Sequence, residues 1–180
     1  GKKDDFAGAA CCFEQAIQLD ERYALAHNNL GHVLLCHRGE YERGAKHIGR
    51  ALELAPDDLA VRCNLSILLF HRGQNEEVIR LCDRLLETAP DLHQARLNRG
   101  LARLRLGDFG PGWDDYEARK QVSELGVALA IAAWEGQELA GKTLLVRGEQ
   151  GLGDEILFAS CLPELIARSV RCVVTCAPRL

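Results

Sequence analysis

The chain has 180 residues, of which 47% are apolar, and its formal net charge is −4. This length allows one domain, or one domain with part of another. No basic block is present that could neutralise phosphates, which argues against a nucleic-acid partner. The longest apolar run, from Val127 to Trp134, is too short to span a bilayer.

Eight cysteines are spread along the chain without a CxxC motif. A chain of this size needs no disulfide scaffold, so we expect free, mostly buried thiols in a reducing, cytoplasmic compartment. The six histidines form no HxxxH or HExxH pair, so no metal site is predicted. The chain lacks methionine and begins within a structural unit, so we expect a piece of a longer protein. Its oligomeric state is left open.

A period of 34 residues organises the first two thirds of the chain. The tripeptide HRG occurs at 37–39 and again at 71–73. Single residues with the same spacing are Gly39, Gly73 and Gly107, and also Pro56 and Pro90. Paired amphipathic segments follow this period, and the chain therefore resembles the tetratricopeptide repeats. The resemblance implies a mostly α-helical fold, a right-handed superhelix of helix pairs with a concave groove.

The resemblance divides the chain into repeats and a second region. We predict a partial repeat at 1–22, full repeats at 23–56 and 57–90, and a terminal repeat at 91–120, followed by a linker at 121–141 and the beginning of an α/β domain at 142–180. Small positions, where the helices of a pair cross closely, fall on Gly44, Val78 and Gly112. Three departures stand out: one extra residue lies between Gly31 and Gly39, Arg99 replaces a leucine, and Arg119 replaces a later alanine.

Asparagine occupies the same position of the first helix in three successive repeats, at Asn29, Asn64 and Asn98. Stacked side-chain amides can donate and accept hydrogen bonds, which suits an extended peptide backbone without demanding a sequence. In this respect the chain resembles O-linked N-acetylglucosamine transferase, whose repeat groove contains such a ladder. The resemblance implies a protein or peptide partner in the groove. The alternative is that each asparagine only bonds to a neighbouring repeat.

A match to the phosphate-loop pattern GxxxxGK[ST] lies between Gly136 and Thr143. A functional loop of this kind leaves a strand and enters a helix, so that backbone amides face the phosphate. Here no strand is predicted before Gly136, and a β-rich run begins at Lys142. We therefore do not expect this segment to bind a nucleotide. We also expect Trp113 and Trp134 to pack in cores.

A second glycine loop has the required order of elements. TLLVR at 143–147 predicts a strand, GEQGLG at 148–153 a loop and DEILFASCL at 154–162 a helix. Pro163 begins a further turn, PELIARS, and VRCVVTC at 170–176 predicts a second strand. Such a βαβ unit has parallel strands and a right-handed crossover. Ligands bind at the carboxyl ends of the strands, where this loop lies.

Within this loop, Gly151, Leu152 and Gly153 would allow a close approach of backbone to a ligand. Ile156 stands where a dinucleotide fingerprint needs its third glycine, so that fingerprint is not supported. Asp154 at the helix start is either an N-cap or a general base that accepts a proton from an attacking hydroxyl.

The second region resembles bacterial glycosyltransferases that join tetratricopeptide repeats to a heptosyltransferase-like, Rossmann-like GT-B domain. The residues that carry the resemblance are Trp134, Gly136, Leu139, Gly141, Lys142, Thr143, Glu149 through Asp154, Phe158, Ala159, Leu162 and Pro163. The resemblance implies that Asp154 is the candidate base, with Glu149 as a second acid. It also implies a nucleotide sugar as donor, bound by a second domain that this chain does not contain.

These observations predict a binding module fused to the acceptor-side portion of a glycosyltransferase. The fragment itself is expected to bind a partner without catalytic activity and without a cofactor. The alternative is a non-catalytic scaffold or adaptor with a degenerate α/β domain.

Overall fold

The computed structural model describes residues 5–122, 131–132, 134–148, 159–168 and 171–175. The chain divides into two compact units, Gly1–Glu124 and Leu125–Leu180. The first is helical and the second contains a small parallel sheet. A mostly helical fold is therefore confirmed.

The first unit consists of consecutive helices joined by short turns. They are α1 (Phe6–Leu19), α2 (Ala24–Val33), α3 (Tyr41–Leu54), α4 (Leu59–His71), α5 (Asn75–Thr88), α6 (His93–Arg105), α7 (Phe109–Tyr116) and α8 (Arg119–Val122). Each helix from α1 to α6 packs against the next one along the chain, α4 also packs against both α2 and α6, and α8 packs against α6. This is the arrangement of stacked helix pairs.

The glycines that carry the 34-residue spacing end the first helix of each pair. Gly39, Gly73 and Gly107 have φ values of 66°, 77° and 84°. These values lie in the left-handed region that glycine enters without a Cβ clash. The period seen in the sequence therefore marks a turn that recurs in each repeat.

The extra residue of the first full repeat is absorbed by a π-helical turn at Leu34–Arg38, which continues α2. The backbone N–H of Gly39 donates to the carbonyl of Leu34, five residues earlier. A π turn accommodates one more residue than an α turn without breaking the helix. The insertion thus changes neither the helix crossing at Gly31 nor the turn at Gly39.

Helices α2 and α3 approach closely because two glycines face each other. A Cβ added at Gly31 would lie 3.1 Å from the carbonyl oxygen of Gly44, and one added at Gly44 would lie 3.0 Å from that of Gly31. Ile48 and Leu35 fill the space beside them and are almost fully buried. In the next repeat the small position holds Val78, which is also fully buried.

The expected burial of the thiols was largely wrong. Among the described cysteines, only Cys63 and Cys82 are buried, whereas Cys172 is half-buried. The exposed ones are Cys11, Cys12, Cys36 and Cys161. Burial raises the pKa of the Cys63 thiol to about 12 and that of Cys82 to about 11. These two thiols are therefore protonated core side chains.

The expectation for Trp113 was also wrong, because its side chain is 55% exposed. Trp113 and Phe109 lie four residues apart on α7, so they share one exposed face. Trp134 is half-buried, and its indole Nε1 donates to the carbonyl of Gln137 at 2.7 Å. The guanidinium of Arg168 lies 5.7 Å from the centre of its ring.

The second unit contains β1 (Thr143–Arg147), α9 (Leu162–Arg168) and β2 (Arg171–Thr175). The strands pair in parallel, from Thr143 opposite Arg171 to Arg147 opposite Thr175. The parallel pairing of the two strands agrees with the prediction. The helix predicted at 154–162 lies largely outside the described residues, and α9 covers the segment after Pro163 that was predicted to be a turn. These elements do not establish a complete Rossmann-like unit. Within the described residues, no helix is long and apolar enough to cross a membrane.

Candidate functional site

The candidate groove is defined by the first helices of three successive pairs, α2, α4 and α6. These helices lie side by side, since α4 contacts both of its neighbours. In a stacked array of helix pairs, the first helices line the concave binding surface. The predicted asparagines belong to these helices: Asn29 to α2, Asn64 to α4 and Asn98 to α6.

The amide of Asn64 links two repeats. Its Nδ2 donates to Oδ1 of Asn28 at 3.0 Å, and Asn28 is only 1% exposed. The repeat pattern predicts Asn29 as the member of the ladder, whereas the residue bonded to Asn64 is the adjacent Asn28. Asn29 is half-buried, and no hydrogen bond of its side chain occurs within the described part of the chain. Because Asn28 and Asn29 are adjacent, the sequence itself indicated that either side chain could make the hydrogen bond to the next repeat.

The amide of Asn98 is committed to the protein itself. Its Nδ2 donates to the hydroxyl of Ser66 at 2.8 Å and to the carbonyl of Cys63 at 3.3 Å, both on α4. Its Oδ1 accepts from Gln94 at 2.8 Å, and the residue is 5% exposed. Asn64 and Asn98 therefore make the inter-repeat bonds that the alternative reading expected, and a peptide role for the three asparagines stays a prediction.

The asparagine side-chain amide atoms that could still bond to a ligand lie on α2 and α4. Both polar atoms of Asn29 and the Oδ1 of Asn64 take part in no hydrogen bond with another described residue. These residues are half-buried, so they are partly accessible to a partner. An amide in this state can pair with a peptide N–H or C=O at little reorganisation cost.

An ion-pair network around the buried carboxylate of Asp115 accounts for the departure at Arg99. Arg99 donates to Asp115 through Nε at 2.7 Å and through a terminal nitrogen at 2.9 Å, and it contacts Asp83 at 2.6 Å. Arg103 and Arg96 also contact Asp115, at 2.7 Å and 3.4 Å. The side chain of Asp115 is 5% exposed.

Burial opposes the ionisation of Asp115, but hydrogen bonds from Arg99 and the positive charges of Arg99 and Arg103 outweigh it and hold the pKa of the carboxyl below its usual value. This network attaches the short helix α7 to α6. The sequence signal that could have revealed it is the run of arginines on one face of α6.

From Glu149 onward, the predicted loop of the second unit lies outside the described residues. This applies to Glu149, Gly151, Leu152, Gly153 and Asp154. The structure does describe Gly148 and the carboxyl ends of β1 and β2. Parallel pairing continues past β1, where the N–H of Gly148 donates to the carbonyl of Thr175 at 2.9 Å.

The match to the phosphate-loop pattern has the opposite order from a working loop. A turn at Ala140 and Gly141 precedes β1, which begins at Thr143. No strand is found among the described residues from 131 to 142. The backbone amides of this segment therefore do not open a helix toward a phosphate.

No group of three or more potential metal ligands is present within the described ranges. The geometry of the first unit instead defines an array of stacked helix pairs with a candidate polypeptide groove. Residues 37–104 match the tetratricopeptide repeat family, which confirms the repeat assignment for that segment. Tetratricopeptide repeats support a role as a protein-interaction module.

A curated relative matches part of the chain. Protein FlbA from Caulobacter vibrioides is 41% identical over 76 residues. The match covers 38% of this chain and 12% of FlbA. The chain thus spans a small part of this relative's length.

Proposed function

We propose that the repeat unit binds an extended segment of a partner polypeptide along α2 and α4. The observation that carries this proposal is the unused amide capacity of Asn29 and Asn64 on adjacent first helices. Asparagine amides pair with peptide N–H and C=O groups whatever the side chains of the ligand are. Each such bond contributes about 0.5–1.5 kcal/mol, so binding is modest and tolerant of sequence.

The test uses a peptide selected from a random displayed library, with its Kd measured by fluorescence anisotropy. The double variant Asn29→Ala and Asn64→Ala should weaken binding by about tenfold, because two hydrogen bonds are lost. Gln18→Ala is the matched control, since it removes an exposed side-chain amide from α1. Unchanged binding by the double variant, with correct folding, would place the peptide elsewhere.

Asn64→Ala also breaks the bond to Asn28, so stability and binding must be separated. Asn29→Ala alone breaks no hydrogen bond within the described residues and reports on binding without this complication. We expect the single variant to keep the thermal stability of the native chain. A loss of affinity by Asn29→Ala at unchanged stability supports the groove.

We further propose that the second unit begins an acceptor-side GT-B domain of a glycosyltransferase. The support is the motif resemblance together with the order β1, α9, β2 and the parallel pairing of the two strands. In this proposal Asp154 is the general base and Glu149 a second acid, while Gly151 through Gly153 approach the ligand. A nucleotide sugar, held by a further domain, would be the donor.

The corresponding experiment measures nucleotide release from a panel of nucleotide sugars by the longer protein that this proposal requires. Loss of release in Asp154→Asn, with the native fold retained, supports the base. If the variant releases nucleotide as fast as the native protein, Asp154 is a helix cap and not the base. If the native protein releases no nucleotide even with acceptor peptides present, the adaptor function is favoured.

A further inference from the structure

A pair of histidines joins the two helices of the first full repeat. His27 lies on α2 and is 7% exposed, and His47 lies on α3 and is half-buried. Their Nδ1 atoms are 3.0 Å apart, which is hydrogen-bond distance. The Nε2 of His27 lies 3.2 Å from the carbonyl oxygen of Glu21.

These contacts determine where the protons lie. A carbonyl oxygen only accepts, so the Nε2 of His27 must carry a hydrogen to bond to Glu21. The Nδ1 of neutral His27 is then an acceptor, and the Nδ1 of His47 must be the donor. Only one hydrogen fits between the two Nδ1 atoms. A second hydrogen would place two N–H groups head to head.

We propose that His27 and His47 form a one-proton latch between α2 and α3, which opens when both imidazoles become protonated. With one added proton the hydrogen bond is retained, because one ring still offers a lone pair, but a positive charge now lies at a partly buried site and costs stability. With two added protons no lone pair remains, and two positive charges lie against each other at a partly buried site. The latch therefore makes the first full repeat acid-labile.

The charged groups around the pair do not remove this effect. Arg43 on α3 adds positive charge near His47, whereas Glu14 on α1 opposes it. Glu14 is itself paired with Arg43 at 2.8 Å. Burial first, and then the charges of His27 and Arg43, lower the pKa of His47.

The sign of the pH dependence follows from this lowered pKa. Unfolded histidine titrates near about 6.5, and folded His47 titrates below that value. Stability is therefore complete above the unfolded pKa and is lost as the pH falls towards the folded pKa. Between these two pKa values, the unfolded chain binds a proton that the folded chain does not. Each such proton lowers the ratio of folded to unfolded protein by up to about tenfold for each pH unit of acidification.

A metal ion is the competing explanation for two histidine nitrogens at this distance. Such an ion would need further ligands, and no group of three potential ligands is present among the described residues. The direct hydrogen bond accounts for the geometry without one.

The first experiment determines the tautomers of the native chain by long-range proton–nitrogen correlation spectra at about pH 8, where histidine is neutral. We expect His47 as the Nδ1–H tautomer and His27 as the Nε2–H tautomer. Neutral His47 as the Nε2–H tautomer would leave two lone pairs facing each other and would overturn the latch.

The second experiment measures urea denaturation of the whole chain between about pH 5 and pH 8. His47→Asn is the informative variant, because the Nδ2 of asparagine occupies the same bonded position as Nδ1 of histidine and donates without titrating. We expect a shallower loss of stability with falling pH, by up to about tenfold in the folding ratio per pH unit.

His93→Asn is the matched control, since His93 is exposed at the start of α6 and outside the latch. It should keep the native pH slope. His32 on α2 also has a lowered pKa, caused by burial and then by His37. A native slope in His47→Asn would therefore assign the acid sensitivity to other groups and reject the latch.

Discussion

The close crossing of α6 and α7 can be tested with two glycine-to-alanine variants. A Cβ at Gly100 would lie 2.7 Å from the backbone nitrogen of Tyr116 and 3.0 Å from the carbonyl carbon of Asp115. Neither atom can move without moving α7. By contrast, a Cβ at Gly49 on α3 would meet no atom within 4 Å.

Both variants gain about 1 kcal/mol of helix propensity, because alanine loses less backbone entropy than glycine. Gly49→Ala should show this gain alone and raise the free energy of unfolding by about 1 kcal/mol. Gly100→Ala should in addition lose about 1–3 kcal/mol through overpacking. Moving α7 also disturbs the ion pair between Asp115 and Arg99. We therefore expect Gly100→Ala to be less stable than Gly49→Ala by about 1–3 kcal/mol.

The assay is urea denaturation followed by far-ultraviolet circular dichroism, with equal m-values required for the comparison. The difference between the two variants isolates the packing contribution, because the propensity gain is common to both. If Gly100→Ala is as stable as Gly49→Ala, the close helix crossing does not exist as described.

Three further outcomes follow from the buried groups and the caps. Asp115→Asn should lower the free energy of unfolding by about 3 kcal/mol near neutral pH, because it leaves Arg99 without its charged partner, and chemical denaturation measures this loss. Since the pKa of Asp115 is lowered, the native stability that it contributes should be present above the unfolded pKa and disappear as the pH falls through the folded value; a native acid titration unchanged by the variant would contradict this. The thiols of Cys63 and Cys82 should react with a thiol reagent only after unfolding, as measured by mass spectrometry with and without urea. Asp58→Ala should cost about 1 kcal/mol by thermal denaturation, because Asp58 caps α4 through two backbone N–H groups.

The sequence predicted the repeated backbone well because a period reports recurring geometry. The glycines at spacing 34 all have positive φ, as a turn that recurs in each repeat requires. The strand at TLLVR was also predicted correctly, with its bounds. The extra residue before Gly39 was visible in the sequence. Its accommodation by a π turn was not, because a loop or a bulge would give the same number of residues between Gly31 and Gly39.

Side-chain partners were predicted less well, because they depend on residues from different repeats. Trp113 has a large aromatic side chain of the kind that usually packs in a core. It is exposed here because α7 is short and does not cover it. The replacement of leucine by Arg99 was noted as a departure. Its explanation required knowing that Asp115 and Asp83 converge on it from α7 and α5.

The three asparagines show why an identical repeat position does not imply an identical role. Asn98 faces Ser66, whose hydroxyl oxygen accepts a hydrogen bond from the side-chain amide of Asn98. Asn64 faces α2, where glycine occupies the position equivalent to Ser66 and offers no side chain, so its amide bonds to Asn28 instead.

The preceding first helix therefore decides how far each amide is used within the protein. Both polar atoms of Asn98 are bonded, whereas the Oδ1 of Asn64 takes part in no hydrogen bond with another described residue. A peptide that binds through these amides should therefore depend more on α4 than on α6.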